Sequence, residues 1–344
     1  GVTTPAAGTS AFEVGSTQYA TLSEALEAVG NNGSIKLLRT ANTTENITLL
    51  NKTITLELGK FDLNITSSAD EGIKVINGTL AVTGSGKLNA TGKLYGVWAN
   101  KGTVTVDDAA SSGDGIGVYA ILGANVTVRG NATGQNNGVY ATDSGTMVTV
   151  NGNVTSTDGQ IQGAVYALNQ AEVIVGGNVS ATSGYGAHTS NSGVITVEGD
   201  IYGIRAGALT EGAGGSITVK GDLSSYNHCA IITSGSSGNI TVEGEIKPLG
   251  SASYVLINNV KLEKDAGVPD STKPGYLKYS GSGATGVVWV KQAAPNVCSI
   301  GATGYPTLDE ALEKANTGDT ITLLQSITHT SPVMVAGKSI TFAL

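Results

Sequence analysis

The sequence predicts an all-β chain: a right-handed parallel β-helix solenoid with a short N-terminal capping helix, and a second cap-like unit at the C-terminus. Three observations predict it. The composition suits short strands and tight turns, an apolar triplet recurs every 20 to 25 residues, and a 47-residue segment occurs twice.

Composition sets the class. Of 344 residues, 13% are charged, about half the usual share, and Gly, at 49 residues, is roughly twice as frequent as in an average chain. Gly supplies positive φ and Asn tolerates it, so such a chain turns often. The net charge is −8 and the pI about 4.9, which argues against nucleic acid, because phosphate binding needs a Lys/Arg face. The two cysteines, Cys229 and Cys298, make no disulfide framework and read as small buried side chains. No apolar run long enough to span a bilayer occurs, so no membrane insertion is expected. The start at Gly1-Val2-Thr3-Thr4, without Met, reads as a trimmed end from which a signal peptide was removed.

The triplets come next. They are Leu80-Ala81-Val82, Val104-Thr105-Val106, Val126-Thr127-Val128, Val148-Thr149-Val150, Val173-Ile174-Val175, Ile195-Thr196-Val197, Ile217-Thr218-Val219, Ile240-Thr241-Val242 and Val260-Lys261-Leu262. Gly and then Asn, Asp or Glu follow most of them, as in Gly152-Asn153-Val154 and Gly199-Asp200-Ile201, which reads as strand, bend, strand. A further strand precedes each triplet: Gly96-Val97-Trp98-Ala99, Gly117-Val118-Tyr119-Ala120, Gly138-Val139-Tyr140-Ala141 and Ala164-Val165-Tyr166-Ala167. It degrades to Gly186-Ala187-His188-Thr189 and Gly203-Ile204-Arg205-Ala206. One period cannot bury its own apolar face, so periods stack as parallel rungs about 4.8 Å apart. Within Val-Thr-Val the valines point inward and the threonine outward.

The duplication aligns residues 12–58 on 298–344 without a gap, at an offset of 286, with seventeen of the 47 positions identical. Thr21 to Glu24 and Thr307 to Glu310 have capping-box spacing, each opening a short helix. The first helix is expected to shield the open edge of the first rung. The expected organisation is a capped β-helix over 1–262, an irregular linker or hairpin over 263–294, and a second cap unit over 295–344. In the middle stretch Tyr276–Tyr279 and Val287–Lys291 are placed to pair as a hairpin. The second cap reads as the start of another coil of a longer protein.

The segment Tyr19-Ala20-Thr21-Leu22-Ser23-Glu24-Ala25-Leu26-Glu27, its copy at 305–313 and the Gly-Val-Tyr-Ala rungs resemble β-helical segments of bacterial, Firmicute-like cell-surface proteins. The resemblance implies a pectin-lyase-like fold, export to the cell surface and an adhesive role, with a polysaccharide or a host or cell-surface protein as partner.

Enzymes of that fold act on polysaccharides, which makes a lyase or glycoside hydrolase the alternative reading. Glycoside hydrolysis needs converging carboxylates. The only adjacent aspartates, Asp107-Asp108 with Asp114 beyond, read as bend residues, since neighbours on a strand face opposite ways. Arg39, Arg129 and Arg205 lie in no lyase-like context, and His188, His228 and His329 are far apart. No catalytic set, cofactor fingerprint or metal motif is expected. Asn-x-Thr/Ser, as at Asn125, Asn153 and Asn178, reads as turn-then-strand chemistry. Glu198, Lys220 and Glu243 read as neighbour pairing on a solvated face. The outward threonines from Thr105 to Thr241 raise ice binding, but the mixed columns beside them argue against it. The candidate binding stripe is the column Trp98, Tyr119, Tyr140, Tyr166, His188 and Arg205. It would either hold sugar rings or stack on itself.

Overall fold

The computed structural model describes residues 10–158, 162–235, 237–281, 286–292 and 294–344. Gly1 to Thr4 and most of the Gly-Ser stretch at 281–285 lie outside them. The chain forms two compact units, Gly1–Lys291 and Gln292–Leu344.

The first unit is a parallel β-helix. Each rung gives one strand to each of three sheets, for example Thr103–Val106 to sheet 1, Asp108–Ser111 to sheet 2 and Ile116–Ile121 to sheet 3. The sheets hold 15, 10 and 11 strands. Rungs pair parallel in a register that puts Val104 beside Val126 and Val126 beside Val148. Both valines of each Val-Thr-Val are buried and the threonine between them is half-buried. These inward side chains, with Ile217, Ile240 and their neighbours, form one core running along the coil. Each one fully buried is worth about 1.5–3 kcal/mol.

The turn residues follow the same logic. The corner between sheets 3 and 1 carries positive φ at Asn51, Asn77, Asn169 and Asn191, a conformation Asn adopts at low cost. The glycine of Gly-Val-Tyr-Ala is needed for a different reason. A Cβ on Gly96 would lie 2.4 Å from the Ala110 nitrogen, and one on Gly117 2.8 Å from the Thr133 oxygen. Sheets 2 and 3 approach too closely there for any side chain.

One expectation is corrected. Val260-Lys261-Leu262 does not continue the ladder of triplets. Asn258 and Asn259 both have positive φ, the signature of a tight hairpin turn, so the chain reverses and Val260–Leu262 runs antiparallel to Ser253–Ile257. The place after Asn239–Val242 is taken by Val287–Lys291, which pairs parallel to it. Its partner in the hairpin is Tyr276–Ser280. The hairpin expected within 263–294 is thus present, and its described strands close the far end of the coil. Tyr279 is fully buried in the common core, its hydroxyl donates to the Lys264 oxygen at 2.8 Å, and its ring lies 5.6 Å from that of Tyr254.

The near end is closed by the cap. The hairpin Phe12–Val14 with Thr17–Tyr19 pairs onto Gly33–Leu37. Helix α1, Leu22–Ala28, opens with a full capping box between Thr21 and Glu24. Leu22 and Ala25 face the core. The second unit repeats this arrangement at the aligned positions. Cys298 pairs with Tyr305 as Phe12 pairs with Tyr19, and Ile321 with Phe342 as Ile35 with Leu56. Helix α2, Leu308–Lys314, begins at Thr307, whose hydroxyl accepts the Glu310 N–H at 3.2 Å. Cys229 and Cys298 are both free and buried.

Candidate binding surface

Sheet 3 presents its outer face as a column of one residue per rung. Trp98, Tyr119, Tyr140, Tyr166 and His188 occupy it in unbroken register. Arg205 does not. The strand of its rung is Ala206–Glu211, so Leu209 pairs with His188 and Arg205 sits in the preceding turn. The sequence alignment slipped because Gly203-Ile204-Arg205-Ala206 and Gly207-Ala208-Leu209-Thr210 both carry the small–apolar–x–small pattern. The column runs on through Ile232 to Leu256, and before Trp98 it passes through Thr48 and Lys74.

The rings spend their faces on one another. Tyr119 lies 5.3 Å from Tyr140, Tyr140 meets Tyr166 edge-on at 5.2 Å, and Tyr166 stacks on His188 at 4.3 Å. Two tyrosines outside the predicted column join the stack. Tyr95 packs against Tyr119 at 5.2 Å and Tyr185 against His188 at 5.6 Å. Both stand three residues before a column member and directly before glycine, a spacing visible in the sequence. Lys74 Nζ covers the Trp98 ring at 3.9 Å in a cation–π contact. Arg205 stands 5.1 Å from the Tyr185 ring. Aromatic pairs at these separations stabilise the sheet by about 0.5–1.5 kcal/mol each beyond their area.

Exposure divides the column. Trp98, Tyr119 and Tyr140 are half-buried, whereas Tyr166 and His188 are 8% and 5% exposed. Burial raises the phenol pKa of Tyr119, Tyr140 and Tyr166. It lowers that of the His188 imidazole, against a smaller opposing pull from Glu211. The His188 Nε2 is 3.1 Å from a Glu211 carboxylate oxygen, an ion-pair distance without hydrogen-bond alignment, and Nδ1 has no partner.

Sheet 2 carries a second column, from Asn42 through Asn64, Asn89, Asp108, Asn131, Asn153, Asn178, Asp200 and Asp222 to Glu245. In its central part each side-chain oxygen accepts the backbone N–H of the next rung. Asn131 Oδ1 takes the Asn153 N–H at 2.9 Å, Asn153 takes Asn178 at 2.8 Å, Asn178 takes Asp200 at 2.8 Å, and Asp200 takes Asp222 at 2.8 Å. This is the physical content of the recurring Gly-Asn/Asp motif and of Asn-x-Thr/Ser on this sheet. The acceptor caps a donor that the bend leaves orphaned.

The acids weighed for catalysis are engaged in the same way. Asp107 accepts the Leu88 N–H and Asp108 the Asn131 N–H, both at 2.7 Å. Asp114 contributes its backbone oxygen to Asn136. Among the described residues no group of three or more His, Cys, Asp or Glu is placed to hold a metal ion. Lys220 bonds Glu198 at 2.9 Å on an exposed face. No described helix is long and apolar enough to cross a membrane.

No family model, no curated protein and no solved structure matches the chain.

Proposed function

We propose that this chain is a non-catalytic structural and adhesive module of a secreted bacterial surface protein, displayed outside the cell. Its repetitive faces would contact polysaccharide or a surface protein of a host or neighbouring cell. One observation carries the reading: the polar and aromatic columns, and the acids weighed for catalysis, are committed to holding rung to rung. Asp107 and Asp108 cap backbone N–H groups, so the paired carboxylates that glycoside hydrolysis requires are not assembled there. Export and surface display rest on the resemblance of the rungs and cap to surface-protein segments.

The test is affinity electrophoresis through gels holding plant, mucin or bacterial-wall polysaccharides, with reducing ends assayed in the same incubations. Retardation without release of sugar is the expected result. If the half-exposed stripe makes the contact, changing Tyr119 and Tyr140 to Ala abolishes retardation. Release of reducing ends would replace this reading with a polysaccharide-active enzyme.

A further inference from the structure

Beside the cap lies a cleft of about 640 Å³, within the range of small-molecule sites. It opens where the first two rungs of sheet 2 meet the start of α1. Its polar lining includes Arg39, Asn42, Thr43, Glu45, Asn64 and Thr66, and Phe12 and Leu22 contribute apolar wall. We propose that this cleft binds a small neutral polyhydroxy molecule, of the class of a single sugar ring or an acyclic polyol. The inference rests on the non-catalytic reading above, since it assigns binding without turnover.

Two features of the hydrogen bonding point to such a ligand. Asn89 Nδ2 donates to Asn64 Oδ1 and Asn64 Nδ2 donates to Asn42 Oδ1, each at 2.8 Å. The chain of amides ends at Asn42, whose own Nδ2 makes no hydrogen bond among the described residues. A chain of aligned hydrogen bonds polarises its last donor, and here that donor is in the cleft. Nearby, Glu45 Oε2 accepts the Leu22 and Ser23 N–H groups at 2.8 and 3.1 Å. Its other oxygen is left as an acceptor. A polarised donor and a carboxylate acceptor together match adjacent hydroxyls, each of which both donates and accepts. The one positive and one negative side chain offset each other, which favours a neutral ligand over a charged one.

The duplicated cap supplies an independent argument. Thr21, Leu22 and Ala25 recur as Thr307, Leu308 and Ala311, whereas Arg39, Asn42 and Glu45 become Gln325, Thr328 and Ser331. The second copy still forms its helix and its paired strands. The helix and hairpin of the cap therefore do not depend on the cleft residues, whereas the strand Ala41–Thr43, which carries Asn42, has no counterpart among the described residues of the second copy.

The experiment is saturation-transfer NMR on the whole chain with methyl β-glucoside, methyl α-mannoside, N-acetylglucosamine and sorbitol as probes, and glucuronate as the charged comparator. Transfer to at least one neutral probe is expected, with glucuronate weaker. Affinity should fall at least about tenfold in Asn42→Thr and in Glu45→Ser, and stay unchanged in Lys220→Gln, a change in an exposed ion pair outside the cleft. Arg39→Gln serves if Asn42→Thr loosens the cap, and circular dichroism checks the fold of each. A ring-only or sorbitol-only response separates the two sources of this chemistry. Absence of transfer from every neutral probe, or transfer indifferent to all three cleft substitutions, would overturn the proposal and leave the adhesive reading standing. New reducing ends from cellobiose in a parallel incubation would instead overturn the non-catalytic reading itself.

Discussion

The columns on sheets 2 and 3 both place one side chain on each rung, yet they differ in kind. The sheet 2 column keeps to amides and carboxylates along its whole length, and from Asp108 to Asp222 each rung poses the same problem, a backbone N–H left over at a bend. In its central part an oxygen of the right reach answers that problem every time. The sheet 3 column drifts from Lys74 through Trp98 and three tyrosines to the buried His188 and then to Leu209 and Ile232. No backbone group constrains it. Each member needs only to pack on the one before, so its chemistry follows local cover rather than a fixed partner.

That contrast can be broken or sharpened by substitution. The largest effect is expected at the covered end of the aromatic column. Tyr166→Ala should cost about 3–5 kcal/mol, the range for a buried aromatic. Tyr140→Ala, half-exposed, should cost clearly less. Equal losses in urea unfolding would show that the column has no covered end. Next comes the ladder, where Asn153→Ala should cost about 1–2 kcal/mol by stranding the Asn178 N–H. The same unfolding measurement checks it, and hydrogen exchange at Asn178 should accelerate.

A pH effect separates the columns further. His188 is held below its ordinary pKa by burial, so the unfolded chain binds its proton more readily than the folded one. Its contribution to stability is complete above about pH 6.5, the unfolded value, and is lost as pH falls through the lower folded value. Melting temperatures between pH 7.5 and 5 should therefore decline, and His188→Gln should flatten that decline. An unchanged slope would mean that His188 takes up its proton at the same pH folded as unfolded, as a solvated imidazole does. The smallest effect belongs to Asn153→Asp, expected within about 0.5 kcal/mol, because Asp200 and Asp222 already serve as acceptors in the same column. A large loss there would mean that the amide, not merely its oxygen, is needed.

Much of this was legible before any coordinates. Alternation of apolar and polar residues settles which side chains of Val-Thr-Val face inward, and repetition at one period settles that rungs stack, because a single rung has no core of its own. The capping box at Thr21 and Glu24 and the shared register of the two caps follow from local spacing. Tertiary structure decided what local pattern leaves degenerate. Val260-Lys261-Leu262 and Val288-Trp289-Val290 satisfy the same pattern, and the two positive-φ asparagines at 258 and 259 choose between them. Leu209 rather than Arg205 joins the column because strand pairing counts hydrogen bonds along the backbone and not similarity of side chains. The cleft beside the cap, built from Arg39, Asn42, Glu45 and Asn64, has no motif at all. Its residues converge only because the coil returns the chain to the same face one rung later, and a sequence read in one dimension does not contain that return.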